Sequence, residues 1–240
     1  MLKKPRPTKG KKSNRVDPRG VTRGPKTRVK TARYRKTSST RWLQRQLNDP
    51  YVAAAQRDGY RSRAAYKLLE LNDRFHFLDN ARTIVDLGAA PGGWSQVALQ
   101  ETNNRARIVG IDLLEVEPLG GAVFLKMDFL DDDAEQKLID TLGGSADIVM
   151  SDMAATTTGH RQTDHLRTMA LVETAFDFTC KVLSPGGTFI AKVLRGGTED
   201  DLLRVMKAQF QHIRHYKPPA SRPESTETYV IAQGFIGKKA

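Results

Sequence analysis

Val85-Asp86-Leu87-Gly88-Ala89-Ala90-Pro91-Gly92-Gly93-Trp94-Ser95-Gln96 decides how this chain folds. The apolar run Thr83–Leu87 predicts a strand, residues 95–100 predict a helix, and the turn between them is built almost wholly of Gly, Ala and Pro. Such a turn removes side chains, so backbone can approach a nucleotide-like ligand closely. Asp112 closes the next apolar run, 108–113, and lies 20 residues beyond Gly92. That is the usual offset of a carboxylate that hydrogen-bonds ribose hydroxyls. The pattern predicts an adenosine-type cofactor on a doubly wound sheet.

A dinucleotide site wants G-x-G-x-x-G, shaped to seat a pyrophosphate on a helix N-terminus. Here three residues separate Gly88 from Gly92, and Trp94 crowds the place of the phosphates. The phosphate loop G-x-x-x-x-G-K-[ST] is missing too. The pattern D-x-G-x-x-P-G-G-W is instead similar to the first motif of S-adenosylmethionine (SAM) methyltransferases, whose ligand carries an amino acid where a dinucleotide carries phosphate. Asp128 is a third acidic residue at a strand end.

The formal charge is +12, and it is unevenly spread. Residues 1–45 hold 17 Lys and Arg against one acid, Asp17, whereas the other 195 residues carry 22 basic and 26 acidic side chains. The first segment has four prolines and almost no apolar residue before Trp42, so it is expected to be disordered in isolation. Its charge attracts polyanions by counterion release, which makes RNA the expected partner. The division expected is a basic extension over 1–45 and one catalytic domain over 46–240. No uncharged apolar run approaches the ~20 residues a bilayer needs, so no membrane partner is expected. The single cysteine, Cys180, excludes an internal disulfide and suits a reducing cytoplasm. The histidines lack ligand spacing, so no metal site is expected.

From about residue 60 helical and strand-like segments alternate. Strands are predicted at Thr83–Leu87, 108–113, 122–127, 147–151 and 188–193, and helices at 61–77, 95–100, 134–142 and 163–183. This alternation means a parallel sheet with helices on both faces. A helix over 199–210 then leads to two runs, 211–216 and 229–235, joined by a Pro-rich loop too short for a crossover helix. Those two strands are expected to pair antiparallel. The fold class is α/β, a Rossmann-like, mostly parallel seven-stranded sheet ending in an antiparallel hairpin.

Ligands of open α/β sheets bind at the carboxyl ends of the strands. There the chain offers Asp152 in Ser151-Asp152-Met153-Ala154, Lys192 within an otherwise apolar strand, and Glu227 just before the last strand. A lysine in a core strand is costly unless paired or functional. Lys67 interrupts the apolar face of the predicted helix 61–77. In this order Lys67, Asp152, Lys192 and Glu227 match the K-D-K-E tetrad of 2′-O-ribose methyltransferases. Together with Arg61-Ser62-Arg63-Ala64-Ala65-Tyr66-Lys67-Leu68, the Asp86–Gln96 motif and Pro185-Gly186-Gly187, they resemble the FtsJ/RrmJ family of RlmE-type large-subunit ribosomal RNA methyltransferases. The resemblance runs from about residue 58 to residue 236.

The resemblance implies Lys192 as general base, with Lys67, Asp152 and Glu227 orienting it and the ribose. It implies SAM contacts at Gly92, Trp94, Asp112, Asp128 and Asp152. It also implies the reaction, 2′-O-methylation of an A-loop uridine in 23S ribosomal RNA on the large subunit, by a cytoplasmic monomer. Two other readings stay open here: ribose methylation in the tRNA anticodon loop, and a non-catalytic ribosome-assembly factor. Ala155 and Thr156 depart from the Pro and Asn that often follow S-D-M-A, and Glu224 competes with Glu227 for the last tetrad position. Arg57, Arg61, Arg63, Lys217 and Arg222 are expected to flank the site and meet phosphates.

Overall fold

The computed structural model describes residues 27–29, 31–34, 36–156, 158–194 and 199–237. Most of the basic extension, residues 1–26, lies outside them. The chain forms two compact units, Met1–Ala54 and Ala55–Ala240.

In the first unit a 3-10 turn, Ala32–Tyr34, precedes helix α1, Thr37–Leu47. Helix α1 runs across residue 45, where the sequence placed the end of the extension. Asn48 accepts from the Thr27 N–H and donates to its carbonyl, both at 2.8 Å, and Gln44 Oε1 accepts from the Val29 N–H at 3.1 Å. An extended strap, 27–29, is thereby held along one ridge of α1. Helix α2, Pro50–Asp58, begins in this unit and ends in the next, with Pro at the first helical position, where a missing N–H costs nothing.

The second unit is one seven-stranded sheet in the order β3-β2-β1-β4-β5-β7-β6. Its strands are β1 Thr83–Leu87, β2 Arg107–Asp112, β3 Ala122–Lys126, β4 Ala146–Ser151, β5 Leu183–Leu194, β6 Phe210–Tyr216 and β7 Glu227–Phe235. The first five run parallel; β7 enters between β5 and β6 and is antiparallel to both. The helices are α3 Ala65–Phe75, α4 Gly93–Glu101, α5 Ala134–Leu142, α6 Arg161–Val182 and α7 Glu199–Gln209.

Side chains alternate across a strand, and here the alternation separates packing from chemistry. Val85, Leu87, Val109, Ile111, Val149, Phe189, Ala191, Val193 and Val230 join α5, α6 and α7 in the main core. Asp86, Lys192 and Tyr229 occupy the intervening positions and face the other side of the sheet. Lys67, buried on α3, reaches them from there.

Two expectations are corrected. Helix α3 begins at Ala65, not 61, because residues 62–67 first form a tight turn: the Ala65, Tyr66 and Lys67 N–H groups reach back three residues to Ser62, Arg63 and Ala64. Strand β5 begins at Leu183, not 188, and Ser184-Pro185-Gly186-Gly187 lies within its span. Leu183 pairs with Ala146, the register then shifts, and pairing resumes at Thr188–Ile148. Pro185 has no N–H to give the ladder, and Gly186 has φ 82°, so the segment bulges outward.

Candidate active site

The glycine turn follows β1 and ends in α4. Gly88 has φ 81°, and a Cβ there would stand 2.8 Å from Met153 Cγ, so only glycine lets the turn pack against the segment after β4. Gly92 has φ 102° and occupies the N-cap of α4. Gly93 and Trp94 follow in the first turn of α4, whose N–H groups have no acceptor within the helix. The Trp94 indole itself is buried and donates to the Ala64 carbonyl at 2.9 Å, so what it leaves at the turn is backbone. Gln96, one turn on, accepts from the Arg61 N–H at 3.0 Å and donates to the Gly59 carbonyl at 2.8 Å. The glycine turn and the approach to α3 are thus tied together.

Asp112, at the end of β2, accepts the Ala90 N–H at 2.9 Å on Oδ2 and the Leu114 N–H at 2.8 Å on Oδ1. Each carboxylate oxygen has a second lone pair for a ribose hydroxyl. Asp128 closes a similar turn, accepting the Leu130 N–H at 3.0 Å. Beneath the turn Asp86 is fully buried. Ser95 Oγ donates to its Oδ2 at 2.7 Å, while Oδ1 is buried without a hydrogen-bond partner. Burial pushes the Asp86 carboxyl up to about 7; the Ser95 hydrogen bond opposes this, and the nearby charges of Asp152 and Asp112 add to it. A side-chain-free turn, a carboxylate at the end of β2 and an orphaned carboxylate oxygen below fit an adenosine that carries a cationic amino-acid end.

The four tetrad residues meet in one cluster. Lys192 Nζ lies 3.1 Å from Asp152 Oδ1, Lys67 Nζ lies 3.6 Å from Asp152 Oδ2, and Lys67 Nζ lies 3.5 Å from Glu227 Oε2. Lys192 Nζ also donates to the Asp152 backbone carbonyl. The lysines are nearly dry, Lys67 8% and Lys192 5% exposed, and two carboxylates balance two ammonium groups. Burial would raise the Asp152 carboxyl, but Lys192 and Lys67, with hydrogen bonds from Tyr229 and Lys192, hold it down to about 2. Register explains the convergence: Lys192 on β5 stands opposite Tyr229 on β7, and Glu227 shares the Tyr229 face two residues away.

Sequence reasoning passed over several members of this site. Tyr229 donates its hydroxyl to Asp152 Oδ1 at 2.6 Å, and its ring centroid lies 5.6 Å from Lys67 Nζ. Burial, and then the Asp152 charge and hydrogen bond, push the phenol well above its ordinary value, so it stays a donor. Glu70, one turn after Lys67 and buried, accepts the Ala220 N–H at 2.7 Å, while Arg63 donates to the Ala220 carbonyl. Both backbone polar groups of Ala220, in the β6–β7 loop, are therefore held, by α3 and by the turn before it. Lys217 Nζ donates to the Pro223 and Ser225 carbonyls, and Ser225 Oγ accepts the Glu227 N–H at 3.1 Å. The loop reaches Glu227 already folded.

Basic residues expected to meet phosphates also have partners within the protein. Arg61 donates to the Glu117 and Pro118 carbonyls, both at 2.8 Å, Arg63 and Lys217 to the carbonyls just named, and Arg57 pairs with Asp58 at 2.6 Å. Glu227, not Glu224, is the carboxylate that pairs with Lys67. Among the described residues no group of three or more His, Cys, Asp or Glu could hold a metal ion, and no helix is long and apolar enough to cross a membrane.

Residues 60–235 match the family of FtsJ-like methyltransferases. A protein of Rhizorhabdus wittichii named ribosomal RNA large subunit methyltransferase E is 59% identical over 215 residues, covering 90% of this chain and 93% of its own length. The protein of that name from Zymomonas mobilis is 61% identical over 211 residues, covering 88% and 95%. A crystal structure from Plasmodium falciparum, described as a ribosomal RNA methyltransferase, superposes with a TM-score of 0.67 at 33% identity, over 75% of this chain and all of that one.

Proposed function

Because the chain belongs to the FtsJ-like methyltransferase family, we propose that it methylates the 2′-oxygen of an A-loop uridine in 23S ribosomal RNA, on the large ribosomal subunit, with SAM as donor. Its relatives named ribosomal RNA large subunit methyltransferase E favour this substrate over tRNA. The observation that carries the chemistry is the Lys67–Asp152–Lys192–Glu227 cluster, its two lysines buried, beside a glycine turn.

Gly92, the backbone at Trp94, Asp112, Asp128 and Asp152 would hold SAM, which supplies an already activated methyl group. The protein's tasks are then alignment and removal of one proton. Lys192, neutral when it acts, accepts the proton of the ribose 2′-hydroxyl on Nζ. Asp152 fixes Lys192 through two contacts, at its carboxylate and its own backbone carbonyl. Lys67, held between Asp152 and Glu227, is a second donor that fixes the ribose. A cluster preset in a dry site spends little energy on reorganisation during the reaction. The segment 1–45 serves the domain 46–240 as a basic arm on ribosomal RNA, and the protein works as a cytoplasmic monomer.

The test is transfer from labelled SAM to undermethylated 50S subunits, free 23S RNA and bulk tRNA, followed by mapping of the modified ribose. The expected result is one A-loop uridine, modified on 50S subunits only and lost in Lys192→Ala. Label in tRNA instead would keep the chemistry and replace the substrate. SAM binding without transfer to any RNA would favour an assembly factor.

A further inference from the structure

Helix α1 presents an indole and two guanidinium groups that the fold does not use. Trp42 is 53% exposed, and Tyr34, shortly before the helix, is 86% exposed. Among the described residues neither the Trp42 side chain nor those of Arg41 and Arg45 make a hydrogen bond, ion pair or ring contact. At 100° per residue Arg45 lies about 60° around the helix from Trp42 and Arg41 about 100°, on the same side. The 27–29 strap takes the Gln44–Asn48 ridge, about 140° from Trp42. It therefore leaves the indole open. Arg41 and Arg45 also border a cleft with Thr40 and Gln44, on the strap side of the helix.

The charge around this face has one sign. No acidic residue occurs between Asp17 and Asp49. A bare tryptophan beside arginines, with no carboxylate near it in sequence, suits a ligand that offers flat π-faces and anionic links together. Single-stranded nucleic acid is such a ligand: bases stack on aromatic rings while the backbone follows the positive charge. A duplex hides its base faces, and an apolar protein partner would leave the arginines unanswered.

We propose that α1 is a stacking platform for single-stranded RNA, with an unpaired base on the Trp42 indole and the adjoining phosphates against Arg41 and Arg45. The proposal rests on the reading of the protein as an RNA methyltransferase and adds a second place of contact, of a different kind from the catalytic cluster. Stacking supplies affinity that is tolerant of sequence and insensitive to salt; the arginines supply the salt-dependent part.

The chain has two tryptophans, and Trp94 is buried, so emission from the exposed indole reports Trp42. Titrating the full-length protein with a ten-nucleotide oligouridylate should quench that emission, and Trp42→Ala should abolish the quench. The same variant should weaken binding about 5- to 150-fold while leaving the slope of log K against log salt unchanged. Arg41→Ala and Arg45→Ala should each reduce that slope by about 0.7. Unaltered wild-type emission at saturating RNA, equal affinity for Trp42→Ala, or a Trp42-dependent preference for duplex RNA would each overturn the proposal. Lys192→Ala separates this idea from the proposed function, since it should lose methyl transfer and keep the full quench. A wild-type protein that shows the quench but transfers no methyl group would leave the platform standing and remove the catalytic reading.

Discussion

The hydroxyl of Tyr229 and the ammonium of Lys192 share one acceptor, Asp152 Oδ1, at 2.6 and 3.1 Å, from facing positions on two antiparallel strands. A carboxylate held from two sides cannot rotate away from the lysine it steadies. Tyr229→Phe removes one hold and keeps the ring that packs beside Trp94. A hydrogen bond to a charged group contributes about 1.5–3 kcal/mol, so kcat should fall roughly 10- to 100-fold. SAM affinity, read by calorimetry, should move by less than about threefold. An unchanged kcat would mean that the lysines alone set Asp152.

Lys192→Ala is the direct test of the base. General-base catalysis contributes roughly 10²–10⁴-fold, so methyl transfer should fall by at least that much. Asp152 keeps Lys67 and Tyr229 as partners, so the variant should stay folded by circular dichroism and bind SAM nearly as wild type does. Retention of more than a tenth of the rate would remove Lys192 from the role of base.

The Glu70–Ala220 hydrogen bond yields a third expectation. Glu70→Ala strands a buried N–H, which costs about 1–3 kcal/mol in urea unfolding. It also frees the loop that delivers Glu227 to Lys67, so kcat should drop while SAM affinity holds. Glu70→Gln retains an acceptor and should recover most of both losses. Equal damage from the two variants would show that charge, not the hydrogen bond, matters.

Asp86 makes stability depend on pH. Its carboxyl sits at about 7 in the folded protein against an ordinary 3.8. Between these values the folded chain holds a proton that the unfolded chain has lost. Its contribution is fully present below about pH 4, declines as pH rises towards 7 and is constant above, a change on the order of 4 kcal/mol. Asp86→Asn has no such proton. The unfolding free energy of wild type minus that of Asp86→Asn should therefore fall between pH 4 and 7 and then level off. Parallel curves across that range would contradict the assignment.

Much of this architecture is legible in the sequence because strand ends and glycine turns carry local signals. Asp112, Asp152 and Glu227 are found by asking which polar residues stand at strand ends, and Lys192 stands out as a charge within an apolar run. Tyr229 sends no such signal, since an aromatic residue in a β-rich run reads as core. Only the pairing of β5 with β7 reveals its hydroxyl beside Asp152. Glu70 is hidden for a related reason, because its partner is the backbone of Ala220, far away in sequence. Helices α1 and α2 escape a periodicity search because α1 carries only Trp42, Leu43 and Leu47 as apolar residues and α2 spans Pro50–Asp58 alone, too little for a repeat to show. The start of β5 is placed too late because Pro-Gly-Gly marks interrupted pairing without saying whether the strand continues on both sides.

The placement of β7 between β5 and β6 governs when the protein can become active. A chain made from its amino end completes α3, β4 and β5, and with them Lys67, Asp152 and Lys192, well before residues 227–235 emerge. Until then β5 is an open sheet edge, and Asp152 lacks the tyrosine that holds it. Closing the sheet demands pairing between segments distant along the chain, a slow class of folding event. On the proposed chemistry, a copy without its last strand lacks Glu227 and Tyr229 and carries an unpaired strand edge.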